Sequence, residues 1–490
     1  MVPPRGKVAF VAGVNGITGN ALVEHLIRRP ASEWSKIIIT SRRRMSQIFW
    51  QDSRVTFIPL DFLNPADELI EAMKPLCHDV THAFFASYVH EADFSKLINC
   101  NVPLFTNFLT ALDTVARESL QRVCLHTGGK HYGAHLGPTE APLHEEMPRY
   151  EDHGENFYYQ QEDFMFDLAA KRTWTWNVIR PDAIIGFTPA GNGMSLALTL
   201  AIYMLCCREM GQVPVFPGNK LFYSTADDSS YAPSIADMAV WAATDEHAKN
   251  EAFNHVNGDT IVWKYFWPRL GRYFGIDIPE QLEWDAYGES EQMSNNFKMQ
   301  DWAKDKKHIW EKVVAKHGGS AEAFDWGTWQ FVDWALGKAW STLSSVNKAR
   351  KFGWMRSDDT YDTYVETFRA FENAGILPLC SVGNGAKAHQ KPVILTPNPG
   401  DAAVIRQGKI KTIERAKLEN RALQNGNIRN GTYHCTEQNG TEQKGTEQNG
   451  AEQNGIQQSD VSQNDTEQNG IEQNGIEQDG IDKHELKALA

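Results

Sequence analysis

Between Lys7 and about Ile185, short apolar runs alternate with longer amphipathic ones. The runs are Val8–Ala12, Lys36–Thr40, Val55–Leu60, His82–Ser87, Val123–Thr127 and Trp176–Ile179, most of them rich in β-branched or aromatic side chains. Runs of that length and make-up predict buried strands. Between them lie stretches of helical character, at Asn20–Arg29, Ala66–Met73, Val102–Arg117 and Tyr158–Lys171. Strands alternating with helices predict a parallel sheet with right-handed crossovers, a Rossmann-type doubly wound α/β fold.

After Gly186 the pattern turns mostly helical and rich in Trp and Phe, up to about Pro378. Strands are expected near Val213–Phe216 and Glu251–Val256, and whether they return to the main sheet is left open by the sequence. The apolar stretch Met194–Cys207 is too short to span a bilayer and runs into Arg208 and Glu209, so it reads as a buried helix. This half is expected to cap the carboxyl edge of the sheet and shape a substrate pocket, where doubly wound folds bind ligands. Aromatic residues within Phe216–Phe222, Trp263–Trp267 and Phe352–Trp354 are candidate pocket walls. The expected division is a dinucleotide-binding domain over residues 1–190, a substrate-binding region over 191–385 and a low-complexity tail over 386–490. In that tail a five-residue unit recurs, from Thr436-Glu437-Gln438-Asn439-Gly440 to Ile476-Glu477-Gln478-Asp479-Gly480. A period of five fits neither helix nor strand, and the tail has too little apolar surface to offset the entropy of ordering, so disorder is expected. A partner-binding role is the alternative for it.

Composition narrows the function. The formal charge of -14 argues against a nucleic-acid partner, which would need a basic face. The seven Cys are scattered, without CxxC spacing or accompanying His clusters, which fits a reduced, cytoplasmic protein without a metal site. The first strand follows the start of the chain almost at once, with no signal-peptide pattern and no membrane segment expected. A small-molecule substrate is the expected partner, and a homodimer is one open possibility.

Strand Val8–Ala12 leads into Gly13-Val14-Asn15-Gly16-Ile17-Thr18-Gly19 and then a helix. Gly13 permits a tight turn, Gly16 lets a pyrophosphate approach the backbone, and Gly19 lets the helix pack closely on the strand. The phosphates would rest at the helix N-terminus. The second strand ends in Ser41-Arg42-Arg43-Arg44, where an NAD-preferring fold would carry an acidic residue for the ribose. Guanidinium groups there suit the 2′-phosphate of NADP, so NADPH is the expected cofactor; a solvated basic run is the alternative. By position in the fold, Asp61 and Phe62 would flank the adenine, and Ser87 and Tyr88 would face the ribose or nicotinamide.

Short-chain dehydrogenases activate a Tyr with a Lys four residues later, whose ammonium lowers the phenol's pKa. That spacing is absent. Asn156-Phe157-Tyr158-Tyr159 is followed by Glu162 and Asp163, acids that cannot supply an ammonium. A cation is available upstream, where strand Val123–Thr127 ends in Thr127-Gly128-Gly129-Lys130-His131-Tyr132. From the residues alone, Lys130 reads equally as a surface lysine and Tyr158 as a wall residue, while His131 and Tyr132 read as packing groups.

These segments, together with Arg180-Pro181, Gly186-Phe187-Thr188-Pro189, Ala248–Asn254, Asn257-Gly258-Asp259, Trp263-Lys264, Ser345–Lys348 and Phe352-Gly353, resemble the progesterone 5β-reductase/iridoid synthase-like family of atypical extended short-chain dehydrogenases. The resemblance runs from about residue 7 to 378. It implies NADPH, a Rossmann fold and an enone substrate: hydride goes to the β-carbon of an activated C=C bond while a Tyr hydroxyl, assisted by the upstream Lys, supports the carbonyl oxygen. Those roles fall on Tyr158 and Lys130. The cofactor-binding set it implies is Gly13, Asn15, Gly16, Ile17, Gly19, Ser41, Arg42, Arg43, Asp61, Phe62, Ser87, Tyr88, Thr127, Tyr158, Pro181, Ala183 and Ile184. Two departures stand out. Asp182 occupies the place of a glycine in the strand end Arg180-Pro181-Asp182-Ala183-Ile184, and the loop Gly133-Ala134-His135-Leu136 is short and lacks a bulky aromatic. Steroid or iridoid specificity is therefore not carried over. The leading expectation is an ene-reductase of secondary metabolism; a ketoreductase and a non-catalytic NADP sensor are the alternatives.

Overall fold

The computed structural model describes residues 6–45, 48–90, 96–150, 156–280, 295 and 298–380. The repeat tail lies outside the described residues. Six strands follow the predicted runs: β1 (Lys7–Ala12), β2 (Trp34–Ser41), β3 (Val55–Pro59), β4 (His82–Phe85), β5 (Arg122–His126) and β6 (Thr175–Pro181). A seventh, Glu251–His255, pairs with β6 at the sheet edge, Ala252 opposite Val178 and Asn254 opposite Arg180. All seven are parallel, in the order β3-β2-β1-β4-β5-β6 and then the edge strand. Chain order reverses between β1 and β4, so a crevice opens at their carboxyl ends.

Strand geometry explains the nearly continuous apolar runs. Successive side chains point to opposite faces, and both faces here are covered. In β1, Ala9 and Val11 pack on one side with Leu22, Val23 and Leu26 of α1 (Ile17–Arg28) and with Ile235 and Ala239 of the helix Ala232–Thr244. Val8, Phe10 and Ala12 pack on the other, with Leu69 and Met73 of α2 (Ala66–Cys77), Phe105 and Phe108 of α3 (Leu97–Ala116), and Met165 of α4 (Phe157–Ala169). Each large apolar side chain buried this way contributes about 1.5–3 kcal/mol. The sheet is thus a rigid plate, and only loops at its carboxyl edge are left to build a site.

The second half has its own aromatic core around α5 (Leu196–Met210), where every residue from Leu196 to Cys207 is buried, as the apolar stretch predicts. Val213–Phe216 forms no strand, contrary to expectation. Its carbonyls are taken by side chains instead: Tyr203 Oη donates to Val215 O at 2.9 Å and Trp267 Nε1 to Pro214 O at 3.1 Å. Pro214 and Pro217 remove two of the donors a ladder would need. Phe216, Phe222, Trp263 and Trp267 are at most 1% exposed, and Trp354 packs in the α1-side core, so these expected pocket walls are core residues. Cys77, Cys124, Cys206, Cys207 and Cys380 are free and buried. No helix among the described residues is long and apolar enough to cross a membrane.

Candidate active site

The glycine-rich loop sits at the head of the crevice. Gly13 has φ +84°, in the left-handed region, and a Cβ there would meet the carbonyl oxygen of Ala86 at 2.6 Å. A Cβ on Gly19 would come within 2.2 Å of Gly13 O, so only glycine lets α1 pack this closely on the loop. Gly16 differs: its only neighbour would be Gly13 O at 3.2 Å, which leaves an open side over the start of α1. The first N–H groups of α1 have no side-chain cap, because the N-cap is Gly16 itself. Bare N–H groups and the helix dipole suit a phosphate.

Asn15 joins this loop to the basic turn. Its Nδ2 donates to Arg43 O at 3.0 Å, and Ser41 Oγ donates to the same oxygen at 2.5 Å. Thr188 Oγ1 holds Asn15 O at 2.8 Å, and Arg42, Arg43 and Arg44 are exposed beside it. Asn15 Oδ1 and Thr127 Oγ1 are buried without a hydrogen-bond partner among the described residues. Buried polar atoms are rarely left unpaired. Two such atoms along the crevice, with the open side of Gly16, fit a bound dinucleotide. Phe62 corrects one expectation. Its ring is 3% exposed and packs edge-on against Phe108 at 5.2 Å, so it belongs to the core.

Further along the carboxyl edge, β5 runs through Thr127 and Gly128 into a single 3₁₀ turn, Gly129–Tyr132, which carries Lys130. Lys130 Nζ donates to Tyr88 Oη at 3.2 Å, from beyond β4. Burial pushes the ammonium down to about 8. Tyr158 comes from the first turn of α4, and a Cβ on Gly128 would lie 3.5 Å from its hydroxyl oxygen. Burial pushes this phenol well above its usual range, and the nearby Tyr88 and Asp182 push in the same direction. Lys130 thus bonds to Tyr88, and Tyr158 lies against Gly128, two residues before Lys130 in the chain.

Beneath them lies a charged core that sequence reading did not find. Glu162, one helical turn after Tyr158, is buried; its Oε1 lies 3.1 Å from Arg180 Nη2 and 3.4 Å from His131 Nδ1. Burial alone would raise this carboxyl, but the His131 ring and the Arg180 guanidinium outweigh it and hold it down to about 2. The acid at the usual lysine position is thus a structural anion. At the end of β6, Asp182 packs against Gly129, where a Cβ would sit 3.2 Å from its carboxyl carbon. Its Oδ1 accepts from the amide of Ala183 at 2.9 Å, and Ala183 itself has φ +42°. Non-glycine residues in that region are uncommon, and such strain of about 1–3 kcal/mol concentrates at functional sites. Ile184 follows in a short strand with Ile185, against Ser230 and Tyr231. Asp182 was legible only as a departure from a pattern; the signal for Glu162 was its helical spacing from Tyr158.

Comparison with known proteins places the family and the fold. The PRISE-like Rossmann-fold domain family matches residues 9–335. The short chain dehydrogenase gsfE of Penicillium aethiopicum is 41% identical over 377 residues, covering 76% of this chain and 99% of that protein. An (S)-8-oxocitronellyl enol synthase of Nepeta racemosa is 36% identical over 383 residues (75% and 92% covered). A 3-oxo-Delta(4,5)-steroid 5-beta-reductase of Arabidopsis thaliana is 33% identical over 382 residues, with the same coverage. Among solved structures, the Bordetella bronchiseptica enzyme WbmG in complex with NAD has the same fold, with a TM-score of 0.50 and 14% identity over 76% of this chain and 96% of that one.

Replacing Gly19 tests the loop packing. Gly19→Ala should destabilise the fold by about 1–3 kcal/mol, because the obstructing atoms are backbone and cannot rotate away. Urea unfolding monitored by Trp fluorescence measures it.

Proposed function

The chain belongs to the PRISE-like Rossmann-fold family and is an oxidoreductase, and from that premise we propose that it is an NADPH-dependent ene-reductase acting on a bulky α,β-unsaturated carbonyl compound. The observations that support the proposal are the Lys130 bond to Tyr88 at the carboxyl ends of β4 and β5, the Tyr158 hydroxyl against Gly128 of the Lys130 turn, and the single Asn156 side chain bonded to the backbone of both residues. One relative's name, 3-oxo-Delta(4,5)-steroid 5-beta-reductase, describes reduction of a double bond beside a carbonyl, and supports the same chemistry here.

Gly13, Asn15, Gly16, Ile17 and Gly19 would hold the pyrophosphate, with Thr127 and the Pro181–Ile184 segment further along the crevice. Arg42 and Arg43 would take the 2′-phosphate. Bound NADPH supplies the hydride. As hydride reaches the β-carbon, electron density collects on the carbonyl oxygen of the substrate. Tyr158, kept protonated by burial and by its neighbours Tyr88 and Asp182, donates a hydrogen bond to that oxygen. Lys130 adds positive potential from the adjoining turn. Groups positioned in advance in a water-poor pocket stabilise such charge strongly.

Tyr158→Phe and Lys130→Met should each lower turnover of a simple enone by roughly 100-fold or more, as loss of an oxyanion donor does. With deuterated NADPH, label should appear on the carbon β to a surviving carbonyl; label on a carbinol carbon would mean ketone reduction instead.

The pH dependence follows from Lys130. Its folded pKa is depressed to about 8, so the ammonium is present below that value and lost above it. Turnover should fall as pH rises through about 8, and Lys130→Arg, charged throughout, should remove that limb from the rate profile.

Cofactor choice is tested separately. Removing both guanidinium groups in the double variant Arg42→Ala/Arg43→Ala should raise KM for NADPH by roughly tenfold, about 1.4 kcal/mol, and leave KM for NADH nearly unchanged.

A further inference from the structure

When a phenol and an ammonium lie one helical turn apart, the helix fixes their spacing. Here they belong to separate segments, and a turn of 3₁₀ helix is too short to be rigid alone. Something must tie that turn to α4. The buried side chain that touches both is Asn156, 7% exposed, immediately before α4. Its Oδ1 accepts from the amide of Tyr158 at 3.2 Å, capping the helix. Its Nδ2 donates to the carbonyl oxygen of Lys130 at 2.9 Å, across 26 residues of chain. One amide thus bonds to the backbone of both reactive residues. The next residue but two, Tyr159, reinforces the junction by donating its hydroxyl hydrogen to His131 O.

We propose that Asn156 is a positioning residue of the reaction, whose single side chain sets where the Lys130 ammonium sits relative to the Tyr158 hydroxyl. This rests on the ene-reductase reading of the same two groups. As an N-cap, Asn could be replaced by Ser or Asp at little cost in stability, since all three accept well from the first-turn amides. Only Asn also carries an N–H donor at the right reach. A purely structural cap and a positioning tie therefore make different demands on this position.

The tie also keeps Lys130 out of water. The groups that bear on its ammonium are the Tyr88 hydroxyl and the His90 ring, both beyond β4; on its own turn, Tyr158 lies against Gly128, Asp182 against Gly129, and His131 faces Glu162. Burial is what depresses its proton affinity, so releasing the turn should return it toward an ordinary lysine.

The experiment compares the full-length wild type with Asn156→Ser, which shortens the side chain, and Asn156→Asp, which keeps size and cap but cannot donate. Three readings are taken: the melting temperature, NADPH-linked turnover of 2-cyclohexen-1-one, and the pH dependence of Lys130 acetylation by acetic anhydride, followed by peptide mass spectrometry. In both variants the melting temperature should stay within about 4 °C of wild type, the shift expected from a small change in cap strength. Their kcat should fall roughly 10- to 100-fold, as an ångström-scale misplacement can cost, with KM for NADPH within about twofold. The Lys130 labelling midpoint should rise from about 8 by a unit or more. Full turnover with an unchanged labelling midpoint in either variant would overturn the proposal. An inactive wild type would sink the ene-reductase reading, and the labelling arm would still decide whether Asn156 holds Lys130.

Discussion

Two reactive groups on separate stretches of chain can cooperate only if noncovalent contacts hold them as firmly as a helix would. In this fold the rigid plate of the sheet does most of that work. Lys130 is launched from the end of β5 and Tyr88 from the end of β4, and neighbouring strands fix those launch points to within a strand spacing. α4 packs on α3 and delivers Tyr158 from above. What remains is the short distance between the helix start and the Gly129–Tyr132 turn, and there the structure spends its polar contacts: Asn156 on Lys130 O, Tyr159 on His131 O, Glu162 against the His131 ring.

The charge arrangement follows from the same rearrangement. With the ammonium supplied from β5, the helical position after Tyr158 no longer needs a cation. It carries Glu162, which compensates Arg180 in a space too dry for an unpaired guanidinium. Removing water from around Lys130 in turn lowers its pKa into a range where it can gain and lose a proton near neutrality. On the proposed roles, the groups that carry the reaction and those that hold the fold are interleaved within a few residues, and an acid in the lysine position is compatible with them.

Much of this was legible in sequence. The six strands β1 to β6 and the α helices between them follow from apolar runs and helical spacing, because a sheet buried on both faces writes itself as uninterrupted Val, Ile and Phe. The glycine loop was legible because Gly13 and Gly19 serve backbone needs that no other residue meets. Val213–Phe216 misled, since an apolar run between prolines can satisfy its carbonyls from Tyr203 and Trp267 without a ladder. Phe62 misled for a related reason: position in a fold predicts where the backbone goes, and not which way a ring turns. In the sequence Asn156 was visible only as the first residue of the Asn156-Phe157-Tyr158-Tyr159 motif, and its bond to Lys130 depends on tertiary packing. Asp182 could be noticed, yet its contact with Gly129 and its strained neighbour Ala183 required coordinates.

The most direct measurement is a crystal structure of the protein with NADP⁺ bound. The expected result is that Tyr158 Oη and Lys130 Nζ face the same side of the ordered nicotinamide, with the adenosine 2′-phosphate at Arg42 and Arg43. Density showing the phenol and the ammonium directed to opposite sides of that ring would contradict the shared role assigned to them.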